Sequence, residues 1–159
     1  MKGKVGICVL AIALATAFAG FSSAQDKPAD NMDIVKEKIR TDKKLFISEN
    51  VQLTQSEAKL FWPVYDQFQS DLGKIKDRYA KLIESFAKNY ETMTNETAKK
   101  LVNDSLKIKA DDLKLRQSYL PKFRSVLPEK KVAAYYQLEN KIDAVVAYQL
   151  ASLIPLIKQ

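Results

Sequence analysis

Apolar residues in this 159-residue chain follow two different patterns. The first is an uncharged block, Val5 to Gly20, rich in Val, Ile, Leu and Ala. The second is a periodic row, Phe61, Tyr65, Phe68, Leu72, Ile75, Tyr79, Leu82 and Phe86, with steps of 4, 3, 4, 3, 4, 3 and 4. Residues three and four apart share one face of a helix, so a row of this kind predicts one long helix packed lengthwise on another. Helix-packing core explains the aromatic members of the row better than a cofactor stripe does. The start of this helix is marked by Leu53-Thr54-Gln55-Ser56-Glu57. There Thr54 can accept from the exposed backbone N–H groups while Glu57 reaches back, the capping-box arrangement. Running to about Tyr90, the helix would be roughly 50 Å long.

Three further helices follow from weaker signals. A first helix is expected from about Met32 to Glu49, carrying Ile34, Val35, Ile39, Leu45 and Phe46. After the break at Thr92-Met93-Thr94-Asn95, with Thr94 or Asn95 as cap, a third is expected from about Glu96 to Val126. Its centre is more polar and basic than that of the second. Leu127-Pro128-Glu129 marks a stop and restart, because proline suits the first turn of a helix. The fourth then runs to about Leu153 through Val132, Tyr135, Ile142, Val145, Val146 and Leu150, and Pro155 ends it. No segment reads as a strand, so the expected class is all-α with four helices. Pro63 and Pro121 fall inside predicted helices, where each removes a backbone hydrogen bond and crowds the preceding turn. The long helices are therefore expected to bend.

The uncharged block has its own meaning. Met1-Lys2-Gly3-Lys4 is a basic head before it, and Phe21-Ser22-Ser23-Ala24 a small-residue tail after it. Together they have the layout of a secretory signal peptide cut between Ala24 and Gln25. The block is shorter than the roughly 20 residues a spanning helix needs. Expected organisation is thus residues 1–24 as signal peptide, 25–31 as a flexible polar lead-in, and 32–159 as a single helical domain. The expected location is the periplasm, across the inner membrane.

Removal of the signal changes the chemistry on offer. Cys8, the only cysteine, leaves with it, and histidine is absent throughout. Ser-His and Cys-His nucleophile systems are excluded, as is thiolate chemistry in the processed chain. No Asp-rich loop could gather the oxygen ligands that a hard cation needs, and no Gly-rich loop could cradle phosphate. The sequence therefore reads as non-enzymatic, with no catalytic residues, no cofactor and no metal. Glu139, among Tyr135, Ile142 and Val146, is expected as a semi-buried carboxylate bonded to a tyrosine or lysine.

Charge then points to binding. The formal charge of +7 falls to +5 once Lys2 and Lys4 are removed. Most of it lies between Lys99 and Lys131, where ten Lys or Arg face Asp104, Asp111, Asp112 and Glu129. In an exported chain such a stretch favours acidic protein segments or anionic envelope lipid over nucleic acid. Within it, Arg116, Lys122 and Arg124 are interleaved with Tyr119, Leu120 and Phe123. Arg116, Tyr119, Lys122, Phe123 and Arg124 are the candidate client- or partner-binding residues if the two rings are exposed; otherwise the rings are core and the cations lie outside.

A family resemblance sharpens this reading. Leu53-Thr54-Gln55-Ser56-Glu57 is similar to the Leu-Thr-x-x-Gln signature of the Spy/CpxP group of periplasmic helical proteins, with Glu57 in the Gln place. Leu127-Pro128-Glu129-Lys130-Lys131 occupies the second signature and keeps its Leu. The resemblance implies a long bent helical hairpin that dimerises into a thin cradle, and an ATP-independent chaperone of the envelope-stress type that binds unfolded or partner proteins. It assigns Leu53, Thr54, Glu57, Leu127 and Pro128 to helix starts and hairpin packing. The competing expectations are a regulatory adaptor for one envelope sensor, and a peripheral binder of anionic envelope lipid through the basic stretch.

Overall fold

The computed structural model describes residues 41–157. The expected signal peptide, the expected lead-in and the first part of the expected first helix lie outside the described residues. Residues 41–51 are helical and are called α1. They are followed by α2 (Gln55–Asn89), a short 3₁₀ turn (Tyr90–Thr92), α3 (Asn95–Arg124) and α4 (Glu129–Leu153). The described residues are thus all-α, with α2 and α3 packed as an antiparallel hairpin. From Lys44 onward they form one compact unit.

The helix starts follow their local chemistry. Thr54 caps α2 in a complete capping box: its side chain accepts from the Glu57 N–H, and the Glu57 carboxylate accepts from the Thr54 N–H at 2.7 Å. Thr94 caps α3 through the Thr97 N–H at 3.1 Å. Pro128 sits one position earlier than a first-turn proline and is the N-cap of α4, with Glu129 the first helical residue. Pro63 and Pro121 both lie within helices, Pro121 close to the end of α3.

Between α1 and α2 the chain turns through Gln52, whose φ of 52° is left-handed. A residue with a Cβ gives up roughly 1–2 kcal/mol there. The turn is held from outside: Lys131 of α4 donates to the Gln52 carbonyl at 2.9 Å and to the Glu57 carboxylate at 2.5 Å. One ammonium group therefore ties the α1–α2 turn and the start of α2 to the start of α4. The two signature-like segments meet here through their last positions, Glu57 and Lys131.

The core sits at this same end. Phe61, Tyr65, Phe68 and Leu72 of α2 face Tyr119 and Phe123 of α3, Val132, Tyr135 and Leu138 of α4, and Ile47 and Val51 of α1. Phe123 is central, with its ring 4.7 Å from Tyr135, 5.7 Å from Phe61 and 5.8 Å from Phe68. Aromatic pairs of this kind add roughly 0.5–1.5 kcal/mol each beyond the burial of their area.

The expected continuous seam stops halfway. Ile75, Tyr79, Leu82 and Phe86 continue the row along α2 but are only partly buried. Beside the proximal half lie Tyr119 and Phe123 of α3 together with Ile47 and Val51 of α1 and Val132, Tyr135 and Leu138 of α4. Beside the distal half lie Leu101, Val102 and Leu106 of α3 with the small Ala98 and Ser105, and these leave a groove. The hairpin is filled at one end and open at the other.

Candidate binding site

Of the two alternatives for the candidate client-binding residues, the one with the rings in the core holds. Tyr119 is 4 % exposed and Phe123 is fully enclosed, so neither ring can offer apolar contact to a partner while the fold is intact. The Tyr119 hydroxyl donates to Asp71 at 2.6 Å, and burial together with the Asp71 charge pushes its ionisation up to about 12. Lys74, Tyr119 and Gln67 in turn hold the Asp71 carboxyl at about 2.

Arg116 is a clamp. Its guanidinium donates to Asp112 one turn back at 3.0 Å and to Asp143 of α4 at 2.7 Å. Burial opposes its charge, but these two carboxylates outweigh that and keep it firmly protonated. Asp143 also accepts from Lys76 of α2 at 3.3 Å, so one carboxylate joins three helices. Arg124 is exposed and reaches Glu129 across the α3–α4 turn at 2.7 Å. Lys122 lies over the outer face of the Tyr119 ring at 4.0 Å. The five candidates thus share one region as packing and its covering: the rings are inside, Lys122 and Arg124 are outside, and Arg116 is partly buried between α3 and α4.

The remaining expected residues hold the same end together. Leu127 is buried, and Leu53 packs against the core. Lys131 and the Thr54 N–H hold the Glu57 carboxyl at about 2. Glu139 is more deeply placed than expected, at 1 % exposure, and accepts from the Gln69 amide at 3.1 Å. Burial, then the Glu139 charge, raises the ionisation of neighbouring Tyr135.

Open apolar surface lies at the other end of the hairpin. Tyr79, Leu82, Ile83 and Phe86 of α2 and Leu101, Val102 and Leu106 of α3 line a groove of about 290 Å³. Ile154 and Ile157, beyond the end of α4, complete its lining. Val102 and Leu106 are more than half exposed. A second cleft of about 310 Å³ shares Leu82 and is lined by Arg78, Lys81, Lys100 and Lys107 with Asp104. Arg78 is paired with Asp111 and Lys100 with Asp104. The distal hairpin therefore carries an apolar groove bordered by cations. Tyr79, Leu82 and Phe86 belong to the periodic row and were legible as core; Ile83 lies outside that row, and that this end of the row would be left open was not legible.

Among the described residues no helix is long and apolar enough to cross a membrane, and no group of His, Cys, Asp or Glu is placed to hold a metal ion. Comparison with protein-family models, curated proteins and solved structures gave no match.

Proposed function

We propose that the chain is an exported, non-catalytic binding protein of the periplasm that holds exposed apolar segments of other proteins without ATP, in the manner of the Spy/CpxP group it resembles. The observation that carries this reading is the distal groove: contiguous apolar side chains left open on a hairpin whose other end is fully packed. Exposed contiguous apolar surface mostly marks interaction sites. The cations of the neighbouring cleft suit acidic stretches of a client and would speed its capture, while apolar contact would supply affinity. Dimerisation into a cradle, implied by the same resemblance, would place two such grooves in one particle.

The test is aggregation of a chemically unfolded client, followed by light scattering, with the processed chain Gln25–Gln159 and no nucleotide. Suppression is expected at low molar excess, and Leu82→Glu, which puts a charge into the groove, should abolish it while the helical signal is kept. Unchanged aggregation at several-fold excess of the parent chain refutes the proposal. A second reading, attachment to anionic lipid, draws on the cationic cleft with Lys81 and Lys107. It requires salt-sensitive binding to anionic vesicles that Lys81→Glu/Lys107→Glu removes.

A further inference from the structure

The groove already has a peptide against it. α4 ends at Leu153, with the Ile154 N–H making the last helical bond to the Leu150 carbonyl at 3.1 Å. Ile154 is extended, at φ −92° and ψ 113°, as the residue before a proline must be. Pro155 cannot continue the helix, and residues 155–157 have no regular structure. Ile154 and Ile157 line the groove, whereas Leu156 between them is 91 % exposed. The Leu156 carbonyl accepts from the Tyr90 hydroxyl at 3.1 Å. A backbone hydrogen bond combined with side chains spaced along an extended segment is how proteins commonly read short peptides.

The hold is slight. One neutral hydrogen bond adds roughly 0.5–1.5 kcal/mol net, and Ile157 remains 40 % exposed. The tail also leaves the groove partly empty, and about 290 Å³ is near the lower end of the range for ligand pockets. A segment carrying bulkier side chains in the same register would fill space that the tail does not.

We infer that the groove is a site for an extended aliphatic peptide, and that the chain's own segment Ile154–Ile157 is its resident occupant, which an incoming segment displaces. This rests on the binding function proposed above and specifies its ligand and its competitor. The tail is attached directly to α4, so its effective concentration at the groove is on the order of millimolar. If that segment as a free peptide binds the open groove with a Kd of about 100 μM, an incoming peptide is weakened about tenfold in the intact chain.

The probe is a fluorescent peptide of the tail sequence, Ser-Leu-Ile-Pro-Leu-Ile-Lys-Gln, followed by anisotropy. It is titrated into the processed chain, a chain ending at Leu153, and a full-length Ile154→Ser/Ile157→Ser variant that keeps every residue position. About tenfold tighter binding to the two altered chains than to the parent, lost on adding Leu82→Glu, is the expected result. Equal affinity for all three chains overturns the inference, and so does an absence of binding to any of them. If the parent chain still suppresses client aggregation in that case, the proposed function stands and only the tail's role fails. Loss of suppression in the parent chain refutes the function itself.

Discussion

Replacing Phe123 by alanine separates a packing role from a binding role for the basic-aromatic segment. The Phe123 side chain is completely enclosed. Five rings surround it, with centroids at 4.7 Å (Tyr135), 5.7 Å (Phe61), 5.8 Å (Phe68), 6.0 Å (Tyr136) and 6.4 Å (Tyr119). Truncating a buried Phe costs roughly 3–5 kcal/mol, the transfer of the ring plus the cavity it leaves. Loss of several edge and tilted ring contacts places this site at the upper end. Such a loss is a large share of a typical total stability of about 5–15 kcal/mol. For a unit of this size it lowers Tm by about 10–20 °C. Thermal and urea unfolding, followed by far-UV circular dichroism, measure the change. Lys122→Ala and Arg124→Ala serve as internal controls: both side chains are exposed, and each change should leave Tm close to that of the parent. A Phe123→Ala chain that melts within about 3 °C of the parent refutes the central placement of Phe123 and restores the exposed-ring alternative.

Arg116→Met removes the charge-assisted bonds to Asp112 and Asp143 and is expected to cost about 1.5–3 kcal/mol. A double-mutant cycle with Asp143→Asn should show a coupling above about 0.5 kcal/mol, and strict additivity would remove Arg116 from its clamping role. Acid sensitivity follows from Glu57 and Asp71, whose carboxyls ionise at about 2 in the fold against ordinary values of 4.5 and 3.8. Their contribution is complete above the ordinary values and is lost as pH falls toward 2. Urea midpoints should decline across that window, and Glu57→Gln should lower the midpoint at neutral pH while flattening the decline. An unchanged pH profile in Glu57→Gln would rule out the Lys131–Glu57 link as the cause.

Legibility in the sequence tracks how local each determinant is. The Thr54 capping box spans four residues and was readable outright, as was the end of α4 before Pro155; the α3 restart was readable to within Thr94 or Asn95, and Thr94 is the cap. The 4–3 row from Phe61 to Phe86 correctly announced a long helix in a hairpin, because spacing alone decides which residues share a face. What covers that face is a property of the facing helix and of register. Tyr119 and Phe123 of α3, with residues of α1 and α4, close the proximal half, while the distal half is left as a groove beside Leu101, Val102 and Leu106. Arg116 looked like a free surface cation because its partner Asp143 is 27 residues away on another helix. The Lys131–Glu57 link spans 74 residues and has no local signal beyond the matching positions of the two residues in the two signature-like segments.

That division of the hairpin bears on how it could work. An apolar surface kept open for ligands contributes little to folding, so stability must come from somewhere else in the chain. Here the aromatic cluster, the Arg116–Asp143 clamp and the Lys131 tie all lie toward the end of the hairpin away from the groove. A polar substitution at Val102 or Leu106, both more than half exposed, should therefore leave Tm within about 2 °C of the parent while weakening ligand capture. The converse holds for Phe123→Ala, which lowers Tm steeply but should leave groove affinity intact at temperatures where the chain is folded. Val102→Ser and Phe123→Ala, compared by melting and by titration with the tail peptide on the chain ending at Leu153, should thus respond in opposite columns. If Val102→Ser lowered Tm as much as it lowered affinity, the distal apolar residues would be core after all, and the separation of holding from binding would fail.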